Sequence, residues 1–245
     1  MSAARGAPPP IPPLAEPPDW ARLPIQECGE LLVTLAEKDG RLRARAVYAE
    51  NGIPGAPVTV AVRAGVAERL RRAVSALPPD VALVVFDGFR PLSVQRYLYD
   101  NYQAEVRAEH PDWTDEQVDL AVRQFVAAPA SDPRCPPPHR TGGAVDVFLV
   151  DAATGAELAM GTAPDEVSPA SVTRWFEEHV EEPFTTHRRL LFHAMIGAGF
   201  TNYRGEWWHY DFGNQRWANV AGVGHAIYGA AEEENEEDSA CTSPP

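Results

Sequence analysis

The chain has 245 residues, of which 44% are hydrophobic, and its formal net charge is −14. This length and composition predict one sizeable domain with extended ends. The excess of acidic residues disfavours nucleic acid and anionic membranes as partners, because both attract basic surfaces. Cys28, Cys135 and Cys241 are widely separated and do not form the pattern of a disulfide framework. Residues 1–20 contain no apolar run of signal-peptide length, and no later segment reaches membrane-spanning length. We therefore expect a cytoplasmic protein.

The two ends of the chain are expected to lie outside the folded domain. Seven prolines between Pro8 and Pro18 leave the first residues few backbone donors, which favours polyproline II conformations and predicts a disordered arm over residues 1–20. Residues 231–245 contain six acidic residues that repel one another, and they predict a disordered tail. The folded domain would then span residues 21–230.

The first half of this domain alternates helix and strand patterns. Residues 64–77 carry apolar residues at helical spacing and are followed by two prolines, which predicts a helix that ends there. The β-branched run VALVVF, residues 81–86, predicts a buried strand. It is followed by the turn sequence DGFRP, after which a helix is expected from Leu92 to Glu109. Arg90 therefore lies at the corner between this strand and this helix.

The second half of the domain is predicted to be mixed in the same way. Thr114 and Gln117 form a capping-box pattern that predicts the start of another helix, and the prolines and glycines of residues 130–143 predict a loop. Further elements are expected in chain order: a strand at 144–151, helices near 171–180 and 186–196, and a final pair of strands. Helices grouped around short strands predict a single α+β domain with a small, mostly antiparallel sheet flanked by helices.

The stretch GEWWHYDFG, residues 205–213, places Glu206 three residues before His209 among aromatic side chains. On a regular strand these two side chains would point to opposite faces. A turn or bulge at Gly205 and Glu206 would let His209 project from the strand while Glu206 reaches the same cavity from its rim. For an isolated motif of this length, the alternative that the tryptophans are core residues and Glu206 is solvated has more weight.

The segment HRTGGAVD supplies His139 and Asp146. Asp146 interrupts an apolar run, and a buried carboxylate there needs a partner such as a cation. The intervening glycines allow a sharp backbone turn that would bring both side chains to one point. His139, Asp146 and His209 would form a zinc site at the sheet with three ligands and an open fourth position, and Glu206 would lie outside the set of ligands. The alternatives are that Asp146 hydrogen-bonds a turn and that His139 is a surface loop residue.

In order and spacing, these four residues resemble the M15 family of metallopeptidases, and most closely its D-alanyl-D-alanine dipeptidases. The likeness extends to FDGFRP, to HRTGGAVDVFLVDAATGAELAMG and to GFTNYRGEWWHYDF, and it covers roughly residues 81–212. The resemblance implies a catalytic domain over residues 21–230 that binds one Zn²⁺ per chain through His139, Asp146 and His209. It also implies hydrolysis of free D-Ala-D-Ala or a closely related D-amino-acid dipeptide, in antibiotic resistance or in peptidoglycan turnover.

The resemblance implies a role for each remaining residue of the site. Glu206 would act as the general base on a zinc-activated water. Arg90 stands in the place of the family's catalytic arginine and would stabilise the oxyanion, with Asp87 orienting it. Asp165 would bind the ammonium group of the substrate, although its local sequence fits the cap of a turn equally well.

Two departures from the family pattern bear on the substrate. Pro137 stands where the family usually has a serine two residues before the first ligand, and Pro164 stands where it has an aromatic residue. Both positions lie near the expected ends of the dipeptide. Three alternatives stay open: a D,D- or L,D-carboxypeptidase acting on cell-wall peptides, a non-catalytic zinc module that binds such peptides, and a hydrolase with Cys135 as its nucleophile.

Overall fold

The computed structural model describes residues 7–15, 18–123 and 125–231. In chain order the strands are β1 (Leu32–Thr34), β2 (Lys38–Asp39), β3 (Leu42–Ala44), β4 (Ala61–Arg63), β5 (Val81–Asp87), β6 (Ala144–Asp151), β7 (Thr201–Asn202) and β8 (His209–Asp211). The α-helices are α1 (Val47–Glu50), α2 (Ala64–Ala76), α3 (Leu92–Glu109), α4 (Asp115–Val122), α5 (Trp175–Glu178), α6 (Phe184–Gly197) and α7 (Gln215–Val220). Short 3-10 helices span Trp20–Arg22, Pro138–Thr141 and Pro169–Ser171.

A six-stranded sheet forms the centre of the fold, in the order β2, β3, β5, β6, β8, β7. Within it β3 and β5 run parallel, and the other neighbouring strands are antiparallel. β1 and β4 form a separate antiparallel pair. The prediction of a single α+β domain with a small, mostly antiparallel sheet and flanking helices is confirmed.

The hydrophobic core lies along the two central strands. β5 is buried throughout, and β6 is buried up to its last residue. Leu70 of α2 and Leu191 of α6 pack in the same hydrophobic cluster as these strands, and burial contributes roughly 1.5–3 kcal/mol for each large apolar side chain. Alternation along β6 places Asp146 on the face opposite to Val145 and Val147. A strand held by apolar packing thus carries one charged side chain into the interior, where Asp146 is 2% exposed.

Several predicted elements have the expected bounds. α3 runs from Leu92 to Glu109 as predicted, and the predicted strand at 144–151 is β6. The capping box of α4 is complete, because the Gln117 amide donates to Thr114 Oγ1 and the Thr114 amide donates to Gln117 Oε1. The sequence patterns that predict these elements are local, and the folded protein has the elements at the predicted positions.

The helix predicted near residues 171–180 is shorter in the structure than expected. The structure has the 3-10 turn Pro169–Ser171 and the four-residue α5 in its place. The amide of Thr173 donates to the carbonyl of Arg204, and the carbonyl of Ser171 accepts from the amide of Trp207. Backbone groups that a continuous helix would need are therefore bonded to the turn that precedes β8.

The expected disordered arm differs from the structure over residues 7–15. Ile11 is 2% exposed, its amide donates to Glu177 Oε1 at 2.9 Å, and its carbonyl accepts from Arg174 Nε at 3.2 Å. Nε2 of His193 lies 2.8 Å from the carbonyl of Pro9. The segment docks because its backbone groups form hydrogen bonds with side chains of the folded domain. These side chains belong to α5, to α6 and to the residue before α5. The predicted acidic tail lies outside the described residues from 232 onward.

In the described part of the chain, no helix is both long enough and apolar enough to cross a membrane.

Candidate active site

His139 is oriented by the end of strand β5. It lies in the 3-10 helix Pro138–Thr141, which ends at Gly142 in the left-handed region at φ 68°. His139 Nδ1 is 2.9 Å from the carbonyl oxygen of Gly88 and 3.1 Å from Asp87 Oδ2. Since both neighbours accept hydrogen bonds, Nδ1 carries the ring proton and the lone pair of Nε2 faces the opposite side.

Asp146 and His209 are direct partners in the antiparallel register of β6 and β8. Directly paired residues project from the same face of a sheet, and here His209 Nδ1 lies 2.9 Å from Asp146 Oδ1. His139 Nε2 lies 3.2 Å from His209 Nδ1 and 3.3 Å from Asp146 Oδ2. The sheet and the 3-10 turn thus bring the three predicted ligands together at one buried point.

The donor atoms of these three residues fit a zinc ion. Zn–N and Zn–O bonds are about 2.0–2.2 Å long, so the corners of a tetrahedral site are roughly 3.4 Å apart. The measured separations of 2.9, 3.2 and 3.3 Å are close to that spacing. Two imidazole nitrogens and one carboxylate oxygen are also a donor set that leaves a fourth position open, as in catalytic zinc sites.

Each histidine has a carboxylate behind the nitrogen that faces away from the cluster. Asp87 lies behind His139, and Asp211 Oδ1 lies 3.3 Å from His209 Nε2. Such carboxylates fix the tautomer and the ring orientation of zinc ligands. Asp211 was not predicted from the sequence, although its spacing of two residues from His209 places both side chains on the same face of β8.

The cluster attracts positive charge strongly. Burial disfavours the imidazolium form of His209, but Asp211 and Asp146 more than offset it and raise the pKa of His209 to about 10. Burial also opposes ionisation of Asp146, yet His139 and His209 hold the pKa of Asp146 well below its usual range. A divalent cation can take the place of the proton in such a site.

Glu206 reaches the cluster from a turn, as the spacing predicted. The Glu206 amide donates to the carbonyl of Tyr203 at 3.1 Å, and Asn202 Nδ2 donates to the carbonyls of Glu206 and His209. The strand begins only at His209, so the two side chains are released from strand alternation. Glu206 Oε2 lies 3.8 Å from His209 Nδ1. Burial raises the pKa of Glu206 to about 8.

Arg90 is buried beside the cluster in a network of fixed partners. Its Nε donates to Asp87 Oδ2 at 2.8 Å, its Nη1 donates to Gln95 Oε1 at 2.9 Å, and its Nη2 donates to Tyr48 Oη at 3.1 Å. Nη2 also lies 3.4 Å from Asp146 Oδ2. Burial opposes the charge of Arg90, but Asp87 and its other neighbours hold the pKa above its ordinary value. The guanidinium is therefore a permanent cation next to a proposed ligand.

Asp165 faces the same cavity from a loop. Its Oδ2 accepts a hydrogen bond from Tyr48 Oη at 3.0 Å, and its backbone adopts a positive φ of 60°. Desolvation by the surrounding protein, followed by the charge of Asp146, raises the pKa of Asp165 to about 6. Tyr48, which bridges Asp165 and Arg90, was not predicted, because it lies in a four-residue helix that has no periodic signal.

One cavity of about 430 Å³ joins all of these groups. The proposed ligands, Glu206, Arg90 and Asp165 form part of its wall, and α3, Arg123 and residues 125–127 contribute much of the rest. This volume lies within the usual range of small-molecule sites, roughly 300–1,000 Å³.

Cys135 is not part of this cavity. It lines a separate hollow with Asp132 and Arg134, and burial followed by the charge of Asp132 raises its thiol pKa. A reactive cysteine requires a lowered pKa, because the thiolate is the nucleophile. The alternative of Cys135 as a nucleophile therefore has no support in the geometry.

The sequence model of the M15 peptidase family, described as D-Ala-D-Ala dipeptidase, matches residues 44–223. The chain belongs to the M15 peptidase family. A D-alanyl-D-alanine dipeptidase of Synechocystis sp. is 33% identical to it over 222 residues, which cover 81% of this chain and 88% of that protein. A D-alanyl-D-alanine dipeptidase of Enterococcus faecalis is 30% identical over 131 residues, which cover 52% of this chain and 60% of that protein.

Among solved structures, a mutant of the vancomycin resistance D,D-pentapeptidase VanY from a VanB-type cassette, in complex with Zn(II), covers 84% of this chain and 96% of that chain. It is 17% identical, with a TM-score of 0.39. As a member of the M15 family, this protein is a metallopeptidase with zinc as its cofactor, and the donor set formed by His139, Asp146 and His209 fits that ion.

Proposed function

We propose that this protein is a zinc-dependent dipeptidase that hydrolyses free D-Ala-D-Ala or a closely related D-amino-acid dipeptide. One observation carries the proposal: the donor atoms of His139, Asp146 and His209 lie within 4.8 Å of one another, in a cavity that Glu206 and Arg90 also line. Metal ligands, a base and a fixed cation in one small cavity are the groups that hydrolysis of an amide requires.

Glu206 is the proposed general base. Bound zinc supplies Lewis acidity, which polarises a carbonyl group and makes a water molecule at the open position more acidic. Glu206 is placed to accept the proton of that water and to return it to the leaving amine. Its raised pKa suits the second step, because a carboxyl group with a pKa near neutrality can both accept and donate a proton at neutral pH.

Arg90 is the proposed stabiliser of the oxyanion. Arg90 is 8% exposed and its guanidinium is held by Asp87, Gln95 and Tyr48, so it does not need to reorganise as negative charge develops on the substrate oxygen. Donors fixed in this way lower the barrier most, because their orientation is established before the reaction. Asp87 supports this role by pairing with Nε and Nη2 of Arg90.

Asp165 is the proposed site for the substrate ammonium group. A carboxylate at the wall of a cavity of this size favours a free N-terminus close to the scissile bond, and it thus favours dipeptides over longer chains. Tyr48 Oη donates to Asp165 Oδ2, which leaves the other carboxylate oxygen for the substrate. We further propose that the substrate is a free dipeptide of a reducing compartment, which the free thiols of Cys28 and Cys135 support.

The test is a panel of free alanine dipeptides of all four chiralities, together with N-acetyl-D-Ala-D-Ala and a pentapeptide that ends in D-Ala-D-Ala. The zinc-loaded protein is expected to cleave free D-Ala-D-Ala and neither blocked nor long substrates. Chelation should abolish turnover, and added zinc should restore it. Glu206→Gln should abolish turnover, whereas Glu105→Gln, a change at another carboxylate of the cavity wall, should not.

Each alternative predicts a different outcome of this panel. Preferential cleavage of the pentapeptide would overturn the dipeptidase proposal in favour of a carboxypeptidase that acts on cell-wall peptides. Binding of D-Ala-D-Ala without turnover by the zinc-loaded protein would favour a non-catalytic module. Cleavage that is unchanged by chelation would remove the basis of the proposal altogether.

A further inference from the structure

Arg216 is a cation at the cavity wall that forms no ion pair and no hydrogen bond with the described residues. It is the second residue of α7 and lines the same cavity as Glu206 and His209. In the part of the chain that the structure describes, its guanidinium has no carboxylate within 4 Å and forms no hydrogen bond, and Nε is buried. The other arginines at this wall differ, because Arg90 pairs with Asp87 and Arg123 pairs with Asp119.

The guanidinium of Arg216 is held in place by two aromatic rings. It lies 4.1 Å from the centre of the Tyr203 ring and 5.3 Å from the centre of the Trp20 ring. Contact with aromatic faces orients a guanidinium and leaves the N–H groups at its edge available for an anion. Tyr203 in turn meets the ring of His209 edge to face at 6.1 Å. Arg216 is therefore oriented toward the His209 side of the proposed metal site.

Two residues at the start of α7, Asn214 and Gln215, bond the helix to neighbouring parts of the structure. Asn214 caps the helix by accepting from the Trp217 amide, and its Nδ2 donates to Asp211 Oδ1, the carboxylate behind His209. Gln215 holds the N-terminal segment that carries Trp20 through bonds to the carbonyls of Ala21 and Leu23, and it also donates to the carbonyl of Arg134. The position of Arg216 is thus set by the same residues that orient a proposed zinc ligand.

The two carboxylate oxygens of Asp146 face two different sides of the site. Oδ2 faces His139 and Arg90, and Arg90 leads through Tyr48 to Asp165. Oδ1 faces His209, which leads through Tyr203 to Arg216. Asp165, the proposed ammonium site, and Arg216 therefore lie on different sides of the metal ligands, as the two charged ends of a bound dipeptide would.

The chemistry of a dipeptide places its carboxylate on the Arg216 side. The leaving amine and the terminal carboxylate are attached to the same α-carbon, so the carboxylate must lie close to the group that protonates the amine. Glu206 has that role in the proposed function, and Arg216 lines the same cavity as Glu206.

We infer that Arg216 binds the C-terminal carboxylate of the substrate and makes the enzyme specific for dipeptides with a free C-terminus. This inference rests on the proposed function and names the residue that recognises the second end of the substrate. A charge-assisted bond from a guanidinium to a carboxylate is among the stronger contacts available in such a cavity.

The test compares free D-Ala-D-Ala with its C-terminal amide, which keeps the shape of the dipeptide and removes the charge. The wild-type enzyme is expected to have a KM for the free acid roughly 10- to 100-fold below that for the amide. Arg216→Gln should raise the KM for the acid by a similar factor with little change in kcat, and the KM for the amide should stay within about twofold. Arg216→Lys should lie between the two.

A matched control and a binding measurement complete the test. Arg123→Gln removes a charge that Asp119 already neutralises, and it should leave the ratio of acid to amide unchanged. Calorimetric titration of D-Ala-D-Ala into Glu206→Gln, with and without Arg216→Gln, measures the same loss in the absence of turnover. If wild type cleaves the dipeptide but Arg216→Gln and Arg216→Lys keep its ratio of acid to amide, the inference is wrong and the proposed function stands. If wild type cleaves no free dipeptide, the proposed function itself fails.

Discussion

Asp87 is the residue whose replacement tests the site most directly, because one of its oxygens contacts two functional groups. Asp87 Oδ2 lies 2.6 Å from Arg90 Nη2, 2.8 Å from Arg90 Nε and 3.1 Å from His139 Nδ1. Asp87→Asn keeps the shape of the side chain and removes its charge. Both Arg90 and Asp87 are nearly inaccessible, at 8% and 7% exposure, so solvent cannot replace the lost charge.

The expected loss follows from breaking a buried ion pair. Removal of one partner costs about 3–5 kcal/mol, and we expect about 3 kcal/mol because Arg90 keeps its contacts with Gln95, Tyr48 and Asp146. For a domain of this size, the Tm of the zinc-free protein should fall by about 6–12 °C. Zinc affinity should fall by up to roughly 10- to 100-fold, because His139 loses the charged one of its two acceptors and keeps only the carbonyl of Gly88.

Calorimetric melting of the zinc-free protein and competition with a chelator measure the two effects. The control is Asp39→Asn, which breaks the pair with Arg71. Those side chains are 48% and 58% exposed, and an exposed pair contributes about 0–1 kcal/mol. If Asp87→Asn changes the Tm no more than Asp39→Asn does and leaves zinc affinity intact, Asp87 does not hold Arg90 and His139 in place.

Three further predictions concern the base, the metal and the loop that carries the proposed anchor. Glu206→Gln should lower kcat by roughly 10²- to 10⁴-fold and leave the zinc content, measured by atomic absorption, unchanged; loss of zinc would indicate a ligand instead of a base. Zinc affinity, measured by chelator competition, should fall by up to about tenfold for each pH unit below the His209 pKa of about 10, because a proton then competes for the imidazole; affinity independent of pH would exclude His209 as a ligand. Arg188→Met should destabilise the protein by about 2 kcal/mol or more, because three carbonyls in residues 160–172 lose their donor. It should also raise KM more than it lowers kcat, because the loop that carries Asp165, the proposed ammonium site, loses its support. Melting and steady-state kinetics check this, and an unchanged KM would separate the loop from substrate binding.

The proposed metal ligands could be predicted because two short motifs stand in an order and spacing that resemble the M15 family. A buried aspartate seven residues after a loop histidine, or a carboxylate three residues before a histidine, left a structural alternative open when taken alone. The turn at Glu206 was also predictable, since strand alternation forbids both side chains of that motif from reaching one point. The direct pairing of Asp146 with His209 could not be predicted, because strand register depends on contacts across 63 residues.

The residues that support these groups were largely missed. Tyr48 and Gln95 reach Arg90 from two different helices, and neither position has a sequence pattern that distinguishes it from an ordinary helical residue. Asp211 had a usable signal, its spacing of two residues from His209. The docking of Ile11 was also missed, because proline content describes the conformation of a segment and not the surface that receives it.

Arg188 connects two parts of the site that the sequence presents as separate. Arg188 is 2% exposed, burial lowers its pKa to about 9, and no carboxylate lies within ion-pair distance of its guanidinium among the described residues. It donates instead to backbone carbonyls of residues 160–172 and lies over the ring of Trp207. Trp207 Nε1 also donates to a hydroxyl of that segment at 2.8 Å. Because Trp207 follows Glu206 directly and Asp165 lies within residues 160–172, the base and the proposed ammonium anchor are fixed to one buried cation. The distance between Glu206 and Asp165 therefore depends on α6, which carries Arg188. Replacement of Arg188 should displace both of these groups.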